Sequence, residues 1–218
     1  MPARGPQATA RKAVAFFLTT LALAFAGSAQ AQTPGTAPAA PAPAVAAAAP
    51  AAPPARVALC AACHGADGNS ALANSPSLAG QPKVFLENTL ILIREGLRQI
   101  PAMQGLLNGV SDAEIVALAD HFNRQAARPQ GTARDDGAFK RGEAIASRAL
   151  CGTCHLPNYA GQQQMPRLAA QREDYLVQSM REFRDNKAQG RDTMMNGVLR
   201  GFSDRDIADM AHYFAQLR

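Results

Sequence analysis

Cys60-Ala61-Ala62-Cys63-His64 and Cys151-Gly152-Thr153-Cys154-His155 hold all four cysteines of the 218-residue chain and two of its four histidines. In a C-x-x-C-H run the two thiols are spaced to reach both vinyl groups of one porphyrin, and the next residue can bring its imidazole under the iron. The pattern therefore points to covalent haem c attachment. Three other chemistries use paired cysteines. A disulfide scaffold needs loop-rich, cysteine-dense domains. A thioredoxin-like redox pair belongs beside a βαβ pattern, and no segment here alternates as a strand should. Zinc wants four ligands per site, yet beyond the two motifs only His121 and His212 remain. The residues predict two haem c groups on Cys60, Cys63, Cys151 and Cys154, with His64 and His155 each supplying one axial ligand to iron.

A filled sixth position on the iron makes an electron carrier, whereas an open one permits catalysis or gas binding. In the first half Met103 is the only methionine after Cys60, and it lies in Ile100-Pro101-Ala102-Met103, irregular chain between two helices that can fold over a haem face. In the second half Met165, Met180, Met194, Met195 and Met210 compete. Met103 stands eight residues before Ser111 and Met195 eight before Ser203, which selects Met195, with Met194 as the runner-up. Met180 and Met210 fall at helical core positions. Pro76 and Pro166 follow their histidines by 12 and 11 residues and can offer a carbonyl to the ring nitrogen facing away from the iron; the alternative reading of each is a turn proline. His121 and His212 read as border histidines beside core aromatics, and Lys187, Arg191 and Arg200 as solvated charge near the second haem.

The elements that position these residues recur in register. Pro76-Ser77-Leu78-Ala79-Gly80-Gln81 is matched by Pro166-Arg167-Leu168-Ala169-Ala170-Gln171, and Ser111-Asp112-Ala113-Glu114-Ile115 by Ser203-Asp204-Arg205-Asp206-Ile207, at offsets of 90 to 92 residues. Such register marks an internal duplication. Lys83 to Leu97 and Glu173 to Ala188 carry apolar residues at helical spacing. Ile115, Leu118, Ala119 and Phe122 share one helical face, as do Ile207, Met210, Ala211 and Phe214. Ser111 with Glu114 fits a capping box, and Ser203 with Asp206 a looser one. The expected fold is all-α, with tandem domains at 56–128 and 138–218. Residues 129–137 form the junction, where Pro129, Gly131 and Gly137 interrupt the periodicity. Domains of about 80 residues are marginal on a core alone, so a bound group is expected to contribute.

Arg4, Arg11 and Lys12 precede an apolar run that ends near Ala29-Gln30-Ala31, so residues 1–31 read as a cleaved signal peptide for export to the periplasm. Residues 32–55 are nearly all alanine and proline, an uncharged disordered linker with nothing to bury. Removing residues 1–31 leaves 19 basic against 17 acidic residues, which gives no footprint for nucleic acid.

The paired C-x-x-C-H motifs, the P-x-L-A-[GA]-Q segments and the Met-to-Ser-Asp segments resemble the diheme class I cytochromes c, most closely the cytochrome c4 family, from about Arg56 to Arg218. The resemblance implies two cytochrome c folds related by pseudo-twofold symmetry, with low-spin haems ligated by histidine and methionine. It also implies that each domain begins with a helix crossing its terminal helix. Gly142 to Ala149 fits that role in the second domain, and in the first only Ala55 to Ala62 is available.

With Met103 and Met195 as ligands, no iron site is left open, and the expectation is a carrier rather than an enzyme. It would pass electrons one at a time between a respiratory donor and a terminal oxidase or other acceptor. Its partners would be redox proteins: an oxidase, a quinol-oxidising complex or a dehydrogenase. Membrane association, where it occurs, would come through them. The alternative is a diheme subunit of a periplasmic dehydrogenase such as flavocytochrome sulfide dehydrogenase. A haem peroxidase would need one open or displaceable ligand.

Overall fold

The computed structural model describes residues 53–129 and 133–218, so the expected signal peptide, nearly all of the linker and the middle of the junction lie outside the described residues. Among the described residues eight α-helices follow in chain order: α1 (Val57–His64), α2 (Lys83–Arg94), α3 (Asp112–Asn123), α4 (Asp136–Arg148), α5 (Cys151–His155), α6 (Glu173–Arg184), α7 (Met194–Leu199) and α8 (Asp204–Gln216), with one 3₁₀ turn at Pro101–Met103. The described residues contain no strand, only an isolated bridge between Gln162 and Met165. All-α is the architecture expected.

Boundaries differ from expectation where local chemistry overrides periodicity. Helix α2 stops at Arg94 and α6 at Arg184, short of Leu97 and Ala188, because Gly96 and Asn186 take left-handed φ angles of 71° and 55° just beyond the ends. Helix α4 starts at Asp136, six residues before Gly142, because the Asp135 side chain accepts the Ala138 N–H at 2.9 Å and caps it. The Ser203–Asp206 box is complete rather than loose. Asp206 N–H donates to Ser203 Oγ at 3.1 Å and Ser203 N–H to Asp206 Oδ2 at 2.9 Å, so the shorter carboxylate reaches as well as Glu114 does in α3.

Ile115, Leu118, Ala119 and Phe122 of α3 are buried, as their shared face requires. Helix α8 buries Ile207, Met210, Ala211 and Phe214, and Asp209, His212 and Tyr213 as well. The difference has a cause. Helix α8 packs against both α4 and α6, whereas α3 packs against α2. The segment expected to cross α3 is α1, and α1 carries Cys60, Cys63 and His64, so it matches α5 in the second domain rather than α4. Among the described residues the first domain has no counterpart of α4.

The two cores are organised differently. In the second domain one cluster runs from Ile145 and Tyr159 through Leu176 to Phe214, with Cys151 and Met195 at its margin. In the first domain there are two clusters. One gathers Val57, Leu86, Leu118 and Phe122 with Cys60 at its margin, the other Leu107, Val110 and Ile115 with Met103, and Leu90 touches both.

Candidate haem sites

Each C-x-x-C-H run is helical, so its two cysteines and histidine, at positions i, i+3 and i+4, share one face. Cys60 and Cys151 are half-buried, Cys63 and Cys154 exposed, and none of the four is joined to another. Burial pushes the Cys60 and Cys151 thiols up from their ordinary value.

The chain turns back over each motif by the same device. In the first domain the Gly68 carbonyl accepts the N–H groups of Leu78 and Ala79, at 2.7 and 3.0 Å. In the second the Tyr159 carbonyl accepts those of Leu168 and Ala169, at 2.9 and 3.1 Å. The preceding prolines are thereby laid against the histidines. His64 Nδ1 lies 2.8 Å from the Pro76 carbonyl oxygen and His155 Nδ1 2.8 Å from that of Pro166. A carbonyl only accepts, so Nδ1 carries the proton in both rings and Nε2 keeps its lone pair. Burial lowers the pKa of both histidines, against a smaller upward effect of the proline carbonyls. Both rings are therefore neutral at pH 7, the form that binds iron. These prolines are acceptors, not turn residues alone.

The methionines sort by burial. Met103 is half-buried at the end of its 3₁₀ turn, against the Leu107 cluster. Met195 packs against the main cluster of the second domain from α7, a short helix where the first domain has only turns. Met194, next in the chain, is 65% exposed. Met180 and Met210 are core residues, 8% and 0% exposed.

Two expectations are corrected. His212 is not a border residue; it is 5% exposed, with Nδ1 donating to Glu173 Oε2 at 3.0 Å and Nε2 accepting the Asp135 N–H at 2.9 Å. Arg191 is not solvated charge; its guanidinium lies over the Phe183 ring and bonds Ser179 and Glu182. Lys187 and Arg200 are exposed, as expected. His121 sits edge-on to Phe122, and its Nε2 is buried without a hydrogen-bond partner among the described residues.

Sequence reasoning assigned no role to the glutamines that end the repeated P-x-L-A-[GA]-Q segments. Gln171 reaches across to Ser77, accepting its N–H at 2.7 Å and donating to its carbonyl at 2.9 Å. Gln81 reaches back to Arg167 in the same way, at 3.0 Å for both bonds. The signal was their recurrence at one place in both copies.

The donor set fits haem c. Two protonated Nδ1 atoms leave two Nε2 lone pairs; Met195 stands at the margin of the cluster that also meets Cys151, and Met103 at the margin of a cluster joined through Leu90 to the one that meets Cys60. Comparison with known proteins agrees. Residues 139–218 match the family model described as cytochrome c, and residues 53–122 the model described as cytochrome c oxidase, cbb3-type, subunit III. Cytochrome c4 of Pseudomonas aeruginosa is 33% identical over 171 residues, covering 74% of this chain and 85% of that protein. The crystal structure of reduced recombinant cytochrome c4 from Pseudomonas stutzeri superposes with a TM-score of 0.69 at 31% identity, covering 75% of this chain and 95% of that one. A thiosulfate dehydrogenase electron acceptor of Thiomonas intermedia is 29% identical over 169 residues, 72% of this chain and 78% of that protein. The two domains carry two covalently bound haem c groups, and the protein is an electron carrier rather than an enzyme. The chain belongs to the cytochrome c4 family of diheme class I cytochromes c.

Proposed function

We propose that this protein is a periplasmic carrier that takes electrons one at a time from a respiratory donor and passes them to a terminal oxidase or another acceptor. Its first domain, 56–128, would hold one haem through Cys60 and Cys63 with His64 and Met103 on the iron. Its second, 138–218, would hold the other through Cys151 and Cys154 with His155 and Met195. Each haem would supply one Fe(III)/Fe(II) couple, so that one electron could enter from the donor and one leave to the acceptor. The observation that carries the reading is the repeated 2.8 Å contact from His Nδ1 to a proline carbonyl, which supports both rings as ligands through Nε2. The placement of Met103 and Met195 against the cores, with Met194 at the surface, supports closed iron sites. Closed sites suit outer-sphere electron transfer and leave no position for substrate.

The protein's own residues contribute by burying the rings and holding their tautomer. Residues 1–31 are read as the export signal, which places the mature chain where haem c proteins meet respiratory partners.

A second reading is favoured by the likeness to the Thiomonas intermedia electron acceptor: the immediate donor is a periplasmic dehydrogenase, such as one oxidising thiosulfate. One experiment separates them. Spectroelectrochemical titration of the purified diheme protein is followed by rates of reduction by a quinol-oxidising complex and by thiosulfate dehydrogenase. Two one-electron waves with methionine-ligated ferric spectra are expected, and the faster donor identifies the partner. A high-spin haem that turns over peroxide would overturn the carrier reading.

A further inference from the structure

The peptide group joining Pro76 to Ser77 is hydrogen-bonded at its two ends to different domains. Its carbonyl oxygen faces His64 Nδ1 at 2.8 Å, and its N–H donates to Gln171 Oε1 at 2.7 Å. The peptide group joining Pro166 to Arg167 repeats the arrangement, with His155 Nδ1 at 2.8 Å and Gln81 Oε1 at 3.0 Å. Gln171 and Gln81 are 4% and 3% exposed; the Gln171–Ser77 bond is buried and the Gln81–Arg167 bond part-buried. Residue for residue the contacts are exchange-symmetric: Gln171 on Ser77, Gln81 on Arg167. A twofold relation between the domains imposes that form.

A buried peptide whose N–H is engaged is polarised, its oxygen becomes a stronger acceptor, and consecutive hydrogen bonds reinforce one another in a low dielectric. A stronger acceptor on Nδ1–H makes the imidazole more basic. A more basic axial imidazole donates more electron density to iron and favours the ferric state. We infer that Gln171 and Gln81 are positioning residues for electron transfer, each adjusting, through one shared peptide group, the histidine of the opposite domain. The inference rests on His64 and His155 being the iron ligands. Its consequence is that domain docking and haem potential are joined by the same bonds. A partner that loosens the interface raises both potentials, and one that tightens it lowers them.

The test is spectroelectrochemical titration of the full diheme protein carrying Gln171→Leu and, separately, Gln81→Leu. Each haem is identified by nuclear Overhauser effects to its own cysteine β-protons. Gln171→Leu is expected to raise the reduction equilibrium of the haem on Cys60 and Cys63 about threefold, which is roughly 30 mV for one electron. The other haem should move by less than half as much. Gln81→Leu should give the mirror result. The Nδ1–H resonance of the affected histidine moves upfield in each case, as a weakened hydrogen bond requires. Gln171→Met and Gln81→Met, which keep the chain length without the amide, carry the same expectation where a leucine variant does not retain both haems. A shift on the haem of the substituted glutamine's own domain, equal shifts of both haems, or no shift would each overturn the proposal. Loss of histidine ligation would instead be visible in the spectrum of the unsubstituted protein, so that failure is distinct.

Discussion

A β-carbon on Gly142 would stand 2.6 Å from the carbonyl carbon of Asp209 and inside the radius of its oxygen, with Tyr213 Cβ at 2.7 Å. Helices α4 and α8 thus cross backbone to backbone, and beside the crossing Arg141 grips the Asp209 carboxylate with two bonds, of 2.7 and 2.8 Å. Gly142→Ala must push the helices apart. It is expected to destabilise the second domain by about 3 kcal/mol, the upper range for overpacking a tight contact. Urea unfolding followed at each haem should show the second domain releasing at lower denaturant while the first is little changed.

Met195→Ala is expected to abolish the methionine-ligated ferric absorption band of one haem, leaving that of the other. Met194→Ala should leave both, because its side chain is 65% exposed. Absorbance of the oxidised proteins decides the matter; an unchanged band in Met195→Ala would remove that residue from the iron.

His212 joins two elements by its two nitrogens, bonding Glu173 at 3.0 Å and the Asp135 N–H at 2.9 Å. Removing a buried acceptor leaves a donor unsatisfied, so His212→Ala is expected to lower stability by about 1–3 kcal/mol. Calorimetry or urea unfolding measures the loss. The low-spin spectra of both haems should stay as they are, since the ring serves the start of α4 and not the iron.

Asp206 is held below the usual aspartate range by the Ser203 hydroxyl and then by the Ser203 backbone N–H. A carboxylate depressed in the folded state contributes stability above its unfolded pKa and loses it as pH falls through its folded one. The cap should therefore weaken in acid, in the window from the ordinary aspartate value downward. Ser203→Ala is expected to cost roughly 1 kcal/mol near neutrality, the usual value of an N-cap, and to flatten the acid limb. Urea midpoints measured across that range test both the size and the slope.

The helical faces of α3 and α8 were legible because a 3.6-residue period records which side is buried whatever the partner, as Ile115 with Phe122 and Ile207 with Phe214 show. The two haem c motifs were legible because covalent attachment confines two thiols and an imidazole to five consecutive positions. The roles of His212 and Arg191 were not legible. Each depends on a residue brought close by folding, Glu173 in one case and the Phe183 ring in the other. The start of α4 was missed because the cap at Asp135 outweighs the glycine two residues later.

By itself the sequence determined the duplication, the all-α class and the two C-x-x-C-H motifs, and by register it put Met195 ahead of Met194 as a candidate. These are local or periodic properties, and a linear pattern can hold them. Only the tertiary structure decided what the prolines and glutamines do. A peptide group has one acceptor end and one donor end, and nothing along the chain says which neighbours will reach them. Folding brings His64 to one end of the Pro76–Ser77 peptide and Gln171, from the other domain, to its other end. That meeting of residues 94 positions apart is a fact of packing, because only the docked interface shuts out the water that would otherwise satisfy both groups.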